Sequence, residues 1–329
     1  MTFLTQNIDP NQWNALVKRS PDATPFQTPE GHSLYAKCPE YESFAFGMED
    51  NKRLRGIICG AIHKNGPRGI NWFTRRAIVF GAPIIDEEVT TDEMKWFLEK
   101  VVEQLKGKAI YLEFRFYSIY DRYREAFDKA GMRWVPELDA LIETNGFETN
   151  IQKRKRRQIR AAIRMGVKIN ENPTEAEIRQ FYPKFKELHW RVSHRPLPSV
   201  DFFLEINNSS IGKIILVEYD GKVIGMSAFL VNEEKAYYLY ECGDNERVDA
   251  SSVVCWGVLK WCAENGIKVC DTMGAGAPDK EYGVREFKRR MGGKLINYGR
   301  ARYLYYPTLY RIATRITGAD ENLPGQYRI

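Results

Sequence analysis

Long apolar runs are missing from this chain of 329 residues. Nowhere do about 18 uninterrupted apolar residues occur, which excludes a membrane-spanning helix. The opening Met-Thr-Phe-Leu-Thr-Gln-Asn-Ile-Asp-Pro has neither the basic head nor the apolar stretch of a secretory leader, so the protein is expected to be soluble and cytoplasmic. Histidine is scarce. His32, His63, His189 and His194 are scattered, no two spaced to share a helix face as ligands, and no metal site is expected. Cys38, Cys59, Cys242, Cys255, Cys262 and Cys270 lack the paired spacing of zinc or redox motifs and read as reduced, mostly buried thiols. No Ser/His/Asp or Cys/His arrangement is legible, which argues against a covalent intermediate.

The length allows two domains, since single cores stop growing near ~250 to 300 residues. The net charge of +6 is unevenly spread: Asp86 to Glu93 is acidic, whereas Lys153 to Arg164 and Arg285 to Arg302 are strongly basic. An anionic partner is therefore drawn to the second half.

Hydrophobic periodicity and turn signals give a repeated order. In the first half, a helix at Asn11 to Arg19 precedes a hairpin at Tyr41 to Met48 and Leu54 to His63, a strand at Ala77 to Ile85, and a helix capped by Thr91 and ended by Gly107. A strand at Ala109 to Phe114, a helix at Asp121 to Ala130 and a strand at Arg133 to Glu143 follow. Helices at Ile151 to Met165 and Thr174 to Arg191 come next. The pattern then returns: a hairpin at Ile214 to Glu218 and Val223 to Val231 around Asp220-Gly221, a strand at Lys235 to Cys242, and a helix from Ser251 to Gly266. A strand at Ile267 to Cys270, a helix at Val284 to Met291 and a strand at Lys294 to Tyr303 complete it. The fold class is α+β (mixed α/β), with internal duplication. The expected division is residues 1–148, residues 149–310 with a basic helix at 151–165, and a tail at 311–329.

One stretch concentrates chemistry. Asp271 is expected at the C-terminal end of its strand, where open α/β sheets place ligands. The glycines at 274, 276 and 283 follow, then a cationic helix with Arg285, Lys288, Arg289 and Arg290, stopped by Gly292-Gly293. In the basic helix, Lys153, Arg157, Arg160 and Arg164 share one broad face suited to phosphate contacts. Tyr238 and Tyr240, two apart, are expected on a common face of their strand. Trp190, Arg191, His194 and Arg195 lead into a proline-rich segment placed to line a cleft.

The run Tyr238-Leu-Tyr-Glu-Cys-Gly243, then Trp256 and Lys260-Trp261-Cys-Ala-Glu-Asn-Gly266, then Asp271-Thr-Met-Gly274 and Gly283-Val-Arg-Glu-Phe-Lys288 with Gly292-Gly293, resembles the Fem family of aminoacyltransferases that build peptidoglycan bridges. Lys153 to Gly166 is similar to a basic helix of that family, and Thr24-Pro-Phe-Gln-Thr-Pro-Glu30 to a signature in its first half. That signature runs on into Trp and Lys, where this chain has Gly31-His32 and Tyr35-Ala36; the coiled-coil arm of some members is also absent. The resemblance implies two tandem GNAT-like (acyl-CoA N-acyltransferase-like) domains that move an amino acid from aminoacyl-tRNA to an amino group of a peptidoglycan precursor or small amine. It places Phe287 and Lys288 beside the acyl carbonyl. Lys288 would polarise that carbonyl and Asp271 or Glu241 take the amine proton. Lys153, Arg157, Arg160, Tyr240, Glu241, Gly274, Gly276 and Arg285 are the binding candidates. No cofactor is expected beyond the donor, and peripheral membrane association is compatible with the charge distribution.

Two other classes are weighed. A CoA-dependent N-acyltransferase uses a loop of the form Q/R-x-x-G-x-G/A. Here the segment is Gly243-Asp-Asn-Glu-Arg-Val-Asp-Ala250 in the second half, and Asp86-Glu-Glu88 stands in the first, so carboxylates would repel pyrophosphate. A non-enzymatic nucleic-acid-binding module would use the basic helix alone and has no need of the glycine-rich stretch.

Overall fold

The computed structural model describes residues 2–64, 71–193 and 196–317. Through Pro136 the chain forms β1 (Thr2–Thr5), α1 (Pro10–Arg19), α2 (Pro29–Ala36), β2 (Tyr41–Asp50), β3 (Arg53–His63), β4 (Arg76–Phe80), β5 (Ile84–Ile85), α3 (Thr91–Leu105), β6 (Tyr111–Arg115), α4 (Arg124–Lys129) and β7 (Arg133–Val135). Next come β8 (Leu138–Glu143), α5 (Phe147–Asn150), α6 (Lys153–Arg164), β9 (Lys168–Asn170), α7 (Glu175–Ser193), α8 (Val200–Asn208), β10 (Gly212–Tyr219) and β11 (Lys222–Asn232). They lead into β12 (Lys235–Gly243), α9 (Ala250–Glu264), β13 (Val269–Gly276), α10 (Gly283–Arg290) and β14 (Lys294–Asn297), and β15 (Arg300–Leu304) and α11 (Pro307–Thr317) end the described chain.

Local chemistry sets the element ends. At the β2–β3 and β10–β11 hairpins the two central turn residues have positive φ: Asn51 and Lys52 at 49° and 64°, Asp220 and Gly221 at 52° and 70°. Such a turn carries the twist of the strands it joins. The α3 helix begins with a reciprocal cap, Thr90 Oγ1 accepting from Glu93 N while Glu93 Oε2 accepts from Thr90 N. The cap is thus Thr90, one residue before the expected Thr91. At α9, Asp249 Oδ1 accepts from Ser252 N at 3.2 Å.

Each sheet repeats the other's plan. The first runs β1-β2-β3-β4-β6-β15-β7, with β5 paired to β3; the second, read from its far edge, runs β9-β10-β11-β12-β13-β8-β14. In both, the fourth and fifth strands pair in parallel and the others antiparallel. The sixth strand is borrowed in each case. β8 follows the first sheet's β7 in sequence but joins the second sheet, and β15 follows β14 but joins the first.

The compact units are accordingly residues up to Pro136 with Tyr298–Thr317, and Glu137–Asn297. This differs from the expected boundaries at 148 and 310. The strand read across Arg133 to Glu143 is two strands broken at Pro136, whose ring cannot continue a ladder. The strand read across Lys294 to Tyr303 breaks at Gly299, at φ 72°. What ties β15 to its new neighbours is a buried fork: Arg302 Nη2 and Nε donate to Glu113 Oε2 at 2.8 and 3.1 Å. Losing one partner of such a pair costs about 3 to 5 kcal/mol.

In the first unit, α3 and α4 bury Phe97, Leu98 and Phe127 against Phe114 and Val79. In the second, α9 lays Val258 and Leu259 on Ile215 and Phe229. Each such side chain contributes about 1.5 to 3 kcal/mol on burial. The opposite face of the second sheet carries α7 and α8, where Phe203 packs edge-on against Phe185 and Tyr240. All six cysteines are buried thiols.

Candidate active site

The two parallel strand pairs differ in one respect. In the first unit β4 and β6 stay in register from Arg76↔Tyr111 to Phe80↔Arg115, the ends of both strands. In the second, β12 and β13 pair only at Lys235↔Val269, Ala236↔Cys270 and Tyr237↔Asp271, although the strands run on to Gly243 and Gly276. Beyond Tyr237 and Asp271 they part, leaving a wedge walled by backbone on two sides.

The carbonyls released on the β13 side are claimed by α10. Lys288 Nζ donates to Thr272 O at 2.5 Å, Gly274 O at 2.9 Å and Met273 O at 3.1 Å, the three residues just past the parallel ladder. One turn earlier on α10, Arg285 Nε donates to Ala275 O at 2.7 Å and its Nη2 to Ala277 O. Spaced three apart, the two cations lie on one helix face. Arg289 and Arg290 point outward, ion-paired with Glu286. The strap permits an irregular strand: Met273 sits at φ 60°, rare for a non-glycine residue, and the register against β8 shifts on both sides of Gly274. Gly276, at φ 78°, leaves room for Tyr282, whose ring a β-carbon would meet at 3.0 Å.

Asp271 is the last residue of the parallel ladder but not of its strand, contrary to the expectation that β13 ends there. Its side chain is fully buried, Oδ1 accepting from Met273 N at 2.8 Å and Oδ2 paired with Lys235 Nζ at 2.9 Å. Burial raises its pKa, against the pull of Lys235. Burial lowers the pKa of the Lys288 ammonium, against the opposing pull of Asp139, Asp271 and Glu241.

On the β12 side a bulge decides which groups face the wedge. The register moves from Ala228↔Tyr240 to Phe229↔Tyr238, so Leu239 is an extra residue. Alternation alone predicts Tyr238 and Tyr240 on one face; the bulge separates them. Tyr240 packs against His189 and Phe203 under α7 and α8, whereas Tyr238 joins the α9 side with Cys255 and Val258. It thereby shares a face with Glu241, the register partner of Ser227. The Glu241 carboxyl is pushed up to about 7 by burial, offset in part by the Ser251 hydroxyl and the Lys288 charge, and Asp249 adds to the rise. A carboxyl titrating near neutrality is matched to proton transfer from an amine.

Beside this site α6 presents two faces. Lys155 turns inward, donating to Asp249 Oδ2 at 2.5 Å and Ser252 Oγ at 2.9 Å, with its ammonium 5.4 Å from the centre of the Phe287 ring. Lys153, Arg157 and Arg160 are exposed. Arg160 approaches Glu148 only at 3.9 Å, an exposed pair of little energetic weight. The start of α9, where a phosphate would seek free amides, is capped by the Asp249 carboxylate, and Asp244 of the same loop pairs with Arg191 at 3.1 Å. Trp190 is exposed; His194 and Arg195 lie outside the described residues.

The first-half signature is internal structure. Gln27 is fully buried and donates to Ala82 O at 2.5 Å, and Thr24 Oγ1 donates to Phe80 O at 2.7 Å, tying the turn Pro25–Gln27 to the end of β4.

Residues 149–289 match the family model described as an acetyltransferase (GNAT) domain. The second unit is a GNAT-type acyltransferase domain. The match covers less than half of the chain. Over nearly the whole chain, solved structures repeat the tandem fold. FemX is 13% identical with a TM-score of 0.68, over 95% of this chain and 99% of that one. The C-terminal domain of a putative lysylphosphatidylglycerol synthetase from Agrobacterium fabrum is 15% identical at 0.60, over 98% and 100%. A tandem GNAT protein from the clavulanic acid biosynthesis pathway is 10% identical at 0.58, over 94% and 100%. At such identities the likeness is one of fold. No curated protein matches the chain by sequence.

Within the acyltransferase domain the structure gathers Asp271, Gly274, Gly276, Arg285, Phe287, Lys288 and Glu241 around the parting strands, and leaves Tyr240 on the opposite face of the sheet. Sequence reasoning missed Ser227, Lys155 and Asp139. Ser227 alone had a visible signal, a hydroxyl inside the apolar run Ile224 to Val231.

Proposed function

We propose that the chain is an aminoacyltransferase, moving an aminoacyl group from aminoacyl-tRNA to an amino group of a peptidoglycan precursor or a related cell-envelope acceptor. The observation that carries this reading is the wedge between β12 and β13, floored by Lys288 and flanked by a carboxyl with a pKa of about 7. An activated ester needs only positioning and removal of the amine proton, and Glu241 is equipped for that removal. Lys288 holds Thr272 to Gly274 in place, and its charge is directed at the same backbone that an acyl carbonyl would approach.

Two features favour tRNA over CoA as the donor. The helix start that would hold a pyrophosphate is capped by Asp249, and the exposed Lys153, Arg157 and Arg160 offer a cationic face to a phosphate backbone. No cofactor has a part in this scheme. Mass spectrometry of muropeptides from a deletion strain tests the acceptor: loss of an amino-acid-bearing species is expected, and an unchanged profile would send the search to another amine.

A further inference from the structure

The first unit carries an aromatic cluster that its core does not use. In the short helical turn Asn71–Thr74, between β3 and β4, Trp72 is 36% exposed and Phe73 46%. Their rings meet edge to face at 5.3 Å, and the ring of Tyr306, just before α11, lies 5.4 Å from that of Trp72. Trp72 Nε1 donates to Gly107 O at 3.3 Å, so the polar atom of the indole is satisfied by backbone while the ring stays open to water. From this cluster α11 leads away, with Ile312 50% exposed on it. Neighbouring large apolar side chains held in water mark a surface with a partner.

The bond to Gly107 also fixes the charge beside the rings. Gly107 lies between Lys106 and Lys108, both exposed and neither ion-paired among the described residues. Glu103, one turn back on α3, is held by Lys100 at 2.9 Å. Arg75, half-buried two residues past Phe73, adds a third cation. Open aromatic rings ringed by cations match a surface that is anionic outside and apolar beneath. Tryptophan and tyrosine rest at the headgroup level of a bilayer, and lysines reach past their own stems to lipid phosphates. A nucleic acid would instead want flat ring faces for successive bases, whereas these rings stand at 89° and 60° to one another.

We propose that Trp72, Phe73 and Tyr306, with Lys106 and Lys108, form a docking surface for an anionic phospholipid bilayer. The contact is peripheral, since no helix among the described residues is long and apolar enough to cross a membrane. The inference goes beyond the acyltransferase reading and does not depend on it, because docking needs no substrate.

The test pellets the full-length protein with vesicles of phosphatidylglycerol and phosphatidylcholine in equal parts, or of phosphatidylcholine alone, at low and high salt. Binding to the anionic vesicles is expected, weaker at high salt and on phosphatidylcholine alone. Lys106→Gln and Lys108→Gln should each weaken it about fivefold, the effect of one basic residue near such a surface. Trp72→Ala combined with Phe73→Ala should weaken it by about tenfold or more, since both rings leave the interface. Brominated acyl chains should quench a component of the wild-type fluorescence that Trp72→Phe lacks. The two lysine variants change only exposed side chains and should keep the wild-type urea midpoint, so their loss of binding is not a loss of fold. No binding by the wild type, or wild-type affinity in all these variants, would overturn the proposal. A dimer seen by light scattering and dissolved by Trp72→Ala with Phe73→Ala would overturn it in favour of a second copy, and loss of tRNA binding in the same variants in favour of the nucleic acid. Amide formation without vesicle binding would leave the acyltransferase reading intact while this surface fell; vesicle binding lost in these variants, without any amide formation, would do the reverse.

Discussion

Lys288 Nζ lies 2.5 Å from the carbonyl oxygen of Thr272, the first residue beyond the parallel ladder, and spends its remaining donors on Met273 and Gly274. A cation read from the sequence as facing substrate is therefore also what keeps the wedge in shape.

Replacing it should register in stability before activity. Lys288→Met leaves three carbonyls without their donor and should cost about 2 to 3 kcal/mol, read as a lower urea midpoint. Lys288→Arg keeps the charge but not the three-pronged geometry, and should fall between. An unchanged midpoint in Lys288→Met would show that the strap is decorative.

The Glu241 carboxyl gives a pH signature. Its folded pKa of about 7 lies above the usual carboxylate value near ~4.3, so the folded state binds the proton more tightly. Its stabilising contribution is complete below the unfolded value and is lost as pH rises toward 7. Wild-type stability should therefore fall relative to Glu241→Gln across that window, and transfer should rise with pH through a midpoint near 7 that Glu241→Gln abolishes. Parallel stability curves would place the carboxyl in an ordinary environment.

The exposed face of α6 should govern donor affinity. Replacing Arg157 and Arg160 by Ala is expected to weaken tRNA binding and to flatten its salt dependence by about one unit for each phosphate no longer neutralised. Lys153→Ala should act in the same direction, since it too is exposed. A slope identical to wild type would return this face to plain solvated surface.

How far the sequence reveals this molecule depends on the scale. Helices with strong periodicity and caps, such as α3 and α9, and the hairpin at Asp220-Gly221 are legible because local chemistry alone sets them. The exchange of β8 and β15 is not, because nothing local in Leu138 to Glu143 or Arg300 to Leu304 says which sheet each strand joins. Pro136 and Gly299 mark the breaks, but which sheet gains the strand is decided by long-range pairs such as Arg302 with Glu113. Likewise the Leu239 bulge has no sequence mark, and without it Tyr238 is assigned beside Tyr240. Asp271 and Lys288 are visible as residues, whereas the strapping of β13 by Lys288 is not. The α8 helix is masked by Pro196 and Pro198 just before it, although Ser199 is a residue suited to announce its start.

Affinity for acetyl-CoA should be weak or absent by isothermal titration. Asp249 occupies the helix start and Asp244 and Glu246 line the loop that would cradle pyrophosphate. A dissociation constant in the low micromolar range would favour the CoA-dependent alternative.

The most direct test of the central claim supplies the intact protein with radiolabelled aminoacyl-tRNA or acetyl-CoA and a pool of peptidoglycan precursors, and follows label into amide. The account predicts amide formation from aminoacyl-tRNA alone, lost in Glu241→Gln. Transfer from acetyl-CoA with none from aminoacyl-tRNA would contradict it.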